Sequence, residues 1–84
     1  MKIEELKIAH NHSIKNENEV LASQICGCFY CLKFFKPNQI KLWIEDTKRT
    51  ARCPYCDVDA VIGDASGYTL TNEFLNDMHN KWFN

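Results

Sequence analysis

Cys26-Gly27-Cys28-Phe29-Tyr30-Cys31 and Cys53-Pro54-Tyr55-Cys56 are the two stretches that decide how this chain folds. They contain two Cys-x-x-Cys pairs, Cys28/Cys31 and Cys53/Cys56, in the order C-x2-C-x21-C-x2-C. A pair with this spacing on a tight turn offers two sulfurs on one side of the chain. Two pairs complete the tetrahedron of a structural zinc site, and the overall spacing is close to that of a zinc ribbon. Iron is the other metal that suits four sulfurs in this geometry. The plainer alternative, four buried thiols without an ion, gives no reason for two matched pairs.

Cys26 is surplus to that set. As a ligand in place of Cys28 it would need a four-residue spacer to Cys31, and the two-residue spacing is the tighter and commoner one. The expected ligands are therefore Cys28, Cys31, Cys53 and Cys56. Cys26 reads as a small buried residue, with a reactive thiol beside the metal as the sharper alternative.

Outward from the cysteines, 84 residues make one domain near the lower limit for a single core, where a metal often assists folding. Residues 1–25 are mainly helical in pattern, 26–68 form the zinc-binding core, and 69–84 end in a helix. In the first region Ile3, Leu6 and His10 share one face, and Ile14, Leu21 and Ile25 continue it. The polar stretch between them divides it into two helices, with Ser13 or Asn16 as N-cap. Phe34, Phe35 and Pro37 lead into a short helix ending near Asp46, with Ile40, Trp43 and Ile44 on its buried face. Thr47–Arg52 reads as a polar strand delivering Cys53, and Val58–Ile62 as a second strand. The last helix starts at Thr71 or Asn72, with Thr71 as cap. Phe74, Leu75, Met78 and Trp82 form its apolar stripe, read as core or dimer surface. The fold class is α+β: a small zinc-ribbon or treble-clef-like domain with a short β-hairpin, an N-terminal helical region and a C-terminal helix.

Lys and Arg total 10 against 11 Asp and Glu, a formal charge of −1. Four thiolates around one Zn²⁺ would take it to −3. Lys33, Lys36, Lys41, Lys48, Arg49 and Arg52, with Trp43 and Tyr55, are the candidates for a nucleic-acid face, but Glu45 and Asp46 interrupt them and the overall balance does not favour that partner. No apolar stretch approaches the length of a membrane span, and the charged start MKIEELK lacks the apolar core of a signal peptide. A cytoplasmic protein is expected, where reduced thiols bind metals rather than pair with one another.

Cys53-Pro54-Tyr55-Cys56 is identical to the active-site tetrapeptide of glutaredoxins, but its surroundings differ. Only 28 residues follow Cys56; they open on a strand pattern and contain no proline. A thioredoxin-like redox centre does not fit. A zinc deaminase does not fit either, because it needs H-x-E, and four thiolates leave no open position on the metal. His10 reads as a packed residue, His12 as an exposed or cap-region hydrogen bonder, and His79 as lying beside the last helix's stripe. Asp57 and Asp59 fall on one face if the second strand includes them, though solvated turn residues are the simpler reading.

Taken together, CGCFYC, F-x-P-x-x-I-x-x-W, CPYC-x-x-D-x-VIG-x-x-SGY and FL-x-x-M-x-x-x-WF resemble a group of small bacterial proteins catalogued simply as cytoplasmic proteins. The likeness spans roughly residues 10–83. The resemblance implies a cytoplasmic zinc-ribbon-like protein with no activity attached. It places Cys28, Cys31, Cys53 and Cys56 in the metal-type pairs and Cys26 at an extra cysteine. Asp57 stands where zinc knuckles often have glycine, and Asp tolerates the left-handed backbone required there.

Three functions follow as expectations. The first is a structural-zinc protein, not an enzyme, that binds another protein as an interaction or regulatory module, with a phage- or immunity-related role among the expectations. The second is a nucleic-acid-binding zinc ribbon. The third is an enzyme using the loop Gly63–Tyr68 through Asp64, Ser66 or Tyr68, against the simpler reading of that loop as a glycine-defined turn.

Overall fold

The computed structural model describes residues 3–83. The chain runs from helix α1 (Ile3–His10) through a 3-10 turn (Asn11–Ser13) to α2 (Glu17–Leu21), then strands β1 (Cys26–Cys28) and β2 (Phe34–Phe35). A second 3-10 turn (Pro37–Gln39) precedes β3 (Trp43–Ile44), β4 (Thr50–Ala51) and β5 (Val61–Gly63). A third (Asp64–Ser66) leads to α3 (Asn72–Phe83). The described residues therefore form an α+β fold with three helices and two small antiparallel sheets.

β1 is the middle strand of the larger sheet, in the order β2-β1-β5. Cys26 lies opposite Phe35 on one side and Gly63 on the other, and Cys28 lies opposite Val61. Every residue of β1 and β5 is buried. Cys-Gly-Cys and Val-Ile-Gly suit such a position, being small or apolar throughout. Gly27 answers a specific need: a Cβ there would stand 3.0 Å from Leu75 Cδ1, because α3 lies directly on the strand. Gly63 answers another, since its Cβ would sit 2.1 Å from Ser23 Oγ. The smaller sheet pairs Trp43 with Ala51 and Ile44 with Thr50.

α3 begins as its sequence indicates. Thr71 Oγ1 accepts a hydrogen bond from the Phe74 N–H at 3.0 Å, and Phe74, Leu75 and Met78 are buried. Trp82 sits at the rim of that stripe, where its Nε1–H donates to the Leu6 carbonyl at 3.4 Å. The His10 ring lies 4.2 Å from it, so α1 is clamped against α3 and His10 is a packed residue.

Three parts of the chain depart from the sequence reading. The stripe expected on residues 1–25 is rearranged: Leu6, Ala9 and Val20 are buried, while Ile3, Ile14 and Leu21 are exposed. Two short helices joined by a turn do not keep a continuous 3.6-residue face. The helix expected from Pro37 to Asp46 is a single 3-10 turn followed by β3, and Ile44 is exposed. Aromatic and β-branched residues also suit a strand, and pairing with β4 decides the outcome. The turn is closed by Gln39, whose Oε1 accepts from the Lys36 N–H at 2.8 Å. The strands expected at 47–52 and 58–62 shorten to Thr50–Ala51 and Val61–Gly63. Asp57 and Asp59 therefore share no strand face.

Asn16 occupies the N-cap position of α2, yet its side chain makes no cap bond. It turns inward, is buried, and donates to the His12 and Val61 carbonyls at 2.9 Å each, while its Oδ1 accepts from the Ala51 N–H at 3.1 Å. A buried amide that meets groups on β4 and β5 fixes both strands against the N-terminal region.

Candidate metal centre

The two Cys-x-x-Cys segments fold into near-identical turns. In the first, the Cys28 N–H bonds the Lys33 carbonyl at 3.0 Å, and the Leu32 N–H bonds the Cys28 carbonyl at 2.8 Å. In the second, Cys53 bonds Val58 at 2.9 Å and Asp57 bonds Cys53 at 2.9 Å, at the same offsets. In both, the N–H two residues on donates to the first sulfur: Tyr30 to Cys28 Sγ and Tyr55 to Cys53 Sγ, each at 3.4 Å. Both turns close through a left-handed residue after the second cysteine, Leu32 at φ 67° and Asp57 at φ 68°. Neither position carries glycine, and the tolerance of Asp for this conformation is used as expected.

These turns bring Cys28, Cys31, Cys53 and Cys56 together, with all four sulfurs within 4.8 Å of one another. The sulfurs interleave across the turns: Cys28 to Cys56 is 3.6 Å and Cys31 to Cys53 is 3.7 Å. A tetrahedron with metal–sulfur bonds of about 2.3 Å has edges of about 3.8 Å, so the cluster is shaped to hold a metal ion. In each pair the first cysteine is buried and the second half-buried.

Cys26 stays outside this group. It is fully buried in β1, and burial, with a smaller contribution from the Asp64 charge, pushes its thiol up to about 12. That is an inert core thiol rather than a reactive one. Burial also raises the Cys28 thiol, against N–H bonds from Cys31 and Tyr30 that lower it. At Cys53 burial is outweighed by N–H bonds from Cys56 and Tyr55 and by neighbouring thiols, and its thiol is lowered.

The other candidates are dispersed. Asp64 Oδ1 accepts from the Gln24 N–H at 2.9 Å, Ser66 Oγ accepts from the Tyr68 N–H at 3.4 Å, and the Tyr68 ring stacks on Phe74 at 5.5 Å. The Gly63–Tyr68 stretch thus ties the chain's turns together. His79 donates Nδ1–H to the Phe29 carbonyl at 3.1 Å, which fixes the first turn to α3. His12 holds the Glu19 carboxylate at 2.8 Å, a pairing across seven residues with no sequence signature.

The basic residues separate as well. Arg49 is ion-paired with Glu17 and lies 5.0 Å over Trp43; Arg52 pairs with Asp57 at 2.7 Å. Lys33 stands 4.9 Å over the Tyr55 ring. No described helix is long and apolar enough to cross a membrane. Comparison with protein-family profiles, curated proteins and solved structures finds no match for the chain.

Proposed function

We propose that Cys28, Cys31, Cys53 and Cys56 hold one structural zinc ion in a zinc-ribbon-type or treble-clef-like core, and that the chain serves as a protein-interaction or regulatory module. The observation that carries the reading is the interleaved sulfur cluster, with all donors within 4.8 Å. Four thiolates saturate a tetrahedral ion and leave no position for water or substrate, which makes the metal a staple rather than a catalyst. A chain of this size gains much of its stability from such a staple.

Two Cys-x-x-Cys turns of the same backbone geometry, each with an N–H aimed at its first sulfur, support a thiolate site over four protonated thiols. The ion pairs at Arg49 and Arg52 remove two of the six cations that a nucleic-acid face would use, which favours a protein partner.

Metal analysis of the purified chain is expected to give about one zinc per chain. Absence of both zinc and iron would sink the metal reading. Affinity purification from the native cell is expected to recover a specific partner, and a clean preparation with none counts against the module.

A further inference from the structure

The four sulfurs do not share one environment. In each Cys-x-x-Cys turn the first cysteine is buried and the second is half-buried. Two close contacts run between the turns, and each joins one sulfur of either kind. Half-buried Cys56 meets buried Cys28 at 3.6 Å, and half-buried Cys31 meets buried Cys53 at 3.7 Å. The partners lie 28 and 22 positions apart along the chain. A reagent from solvent therefore reaches Cys56 and Cys31 first, and each has a shielded sulfur in contact behind it.

Electrons that an oxidant takes from such a site come from sulfur, because zinc does not change oxidation state. Four thiolates also leave no vacant position on the ion, so an incoming electrophile meets sulfur lone pairs. An accessible thiolate with a second sulfur in contact is the arrangement that traps the first oxidation product as a disulfide. Cys26 takes no part in it, being fully buried in β1 and outside the cluster.

We infer that the cluster is a peroxide-responsive clasp: hydrogen peroxide converts its four thiolates into two cross-turn disulfides, Cys28–Cys56 and Cys31–Cys53, and the metal is released. This rests on the zinc reading of the site and adds a regulation to it. Cys56 Sγ attacks one peroxide oxygen, the O–O bond breaks, and the departing hydroxide takes a proton from solvent to become water. Cys28 Sγ then attacks the sulfur of the resulting sulfenic acid. The S–S bond forms, the S–O bond breaks, and a second hydroxide leaves and is protonated to water. Two thiolates lose two electrons and one peroxide gains them. Cys31 and Cys53 repeat the sequence with a second peroxide. A disulfide sulfur is no longer the thiolate that the ion requires, so oxidation removes the ligands outright. Both bonds join the two turns instead of closing either on itself, and the oxidised chain keeps the turns tethered without metal.

The test begins with the zinc content of the purified, reduced chain. Excess hydrogen peroxide is then added beside a chromogenic zinc indicator, with an untreated sample as control. Expected is release of about one zinc per chain for about two peroxides consumed. Alkylation after denaturation should find Cys26 as the one remaining free thiol, and peptide mapping should find the two cross-turn disulfides. Dithiothreitol followed by zinc should restore the metal content, and Cys26→Ala should release zinc at the parent's rate. Zinc retained at a peroxide excess that fully oxidises free glutathione overturns the clasp. So do Cys28–Cys31 and Cys53–Cys56 disulfides, or sulfinic acids in place of disulfides. Release that depends on Cys26 overturns the assignment to the cross-turn pairs. A chain purified without zinc or iron overturns the metal reading and this inference with it, whereas zinc that is present and stays bound overturns this inference alone.

Discussion

The two cysteine turns share a backbone and the burial of their cysteines, and differ in the side chains that flank them. The first grows out of β1, the central strand, and Phe29 within it is buried at 1% exposure beneath His10 and Phe83. The second lies at the surface, with Tyr55 exposed and Asp57 facing solvent. Their left-handed residues are stabilised by opposite means: Leu32 packs its apolar side chain against the core, while Asp57 is braced by two hydrogen bonds from Arg52. The main-chain pattern of a metal turn is thus set by its own hydrogen bonds, and the flanking side chains adapt to core or solvent. One turn places its sulfurs against the core, and the other carries its pair at the surface.

The largest effect should come from the ion itself. Structural zinc in small domains contributes about 10–16 kcal/mol of apparent binding energy, comparable with the whole stability of an ordinary domain. Chelation at neutral pH is expected to unfold the chain, read by loss of the far-ultraviolet dichroism signal. Cys28→Ser should leave no folded protein, because Cys28 is fully buried and supplies one of the four sulfurs. Cys56→Ser, at a half-buried site, should keep some metal-dependent structure. Equal behaviour of the two would break the contrast between a core turn and a surface turn.

Asn16 comes next, since it fastens the two halves to each other. Ala51 precedes the second turn and Val61 pairs with Cys28 of the first. Asn16→Ala leaves a buried N–H and a buried carbonyl without partners and should cost roughly 2–4 kcal/mol in a denaturant melt of the zinc-loaded protein. A loss below about 1 kcal/mol would mean that the turns are held in place by the ion alone.

The left-handed residues give a smaller and more pointed comparison. Leu32→Val puts a β-branched side chain at positive φ and should cost about 1–2 kcal/mol. Asp57→Gly removes an exposed ion pair while easing the backbone, and should change stability by no more than about 0.5 kcal/mol. Reversal of that order would mean that Arg52, rather than the turn's own bonds, shapes the second site.

The smallest expected effect is at Glu17, whose carboxyl Arg49 holds below its usual value near 4.5. A carboxylate lowered in the folded state adds stability that is fully present above the unfolded value and is lost as pH falls through the folded one. Glu17→Gln should therefore leave the acid side of the stability profile slightly flatter below about pH 4.5 and lower it slightly at neutral pH. Because the pair is partly open to solvent, the difference should shrink in high salt.

Much of the candidate site was legible in the sequence, because Cys-x-x-Cys spacing and a tolerated left-handed residue are local requirements of a four-sulfur turn. The last helix was legible for the same reason: Thr71 and the Phe74, Leu75 and Met78 stripe act within one or two turns of chain. Pairing of strands two residues long was not, since Trp43 and Ile44 suit a helix face or a strand equally until β4 is placed opposite them. Nor was the role of Asn16, a residue with the local character of a cap that is drawn inward by groups 35 and 45 positions away. Spacing and local backbone preference thus determined the two cysteine turns and the final helix. The tertiary structure alone decided which turn lies deeper and which residue joins the halves, because each of these depends on contacts between segments remote along the chain.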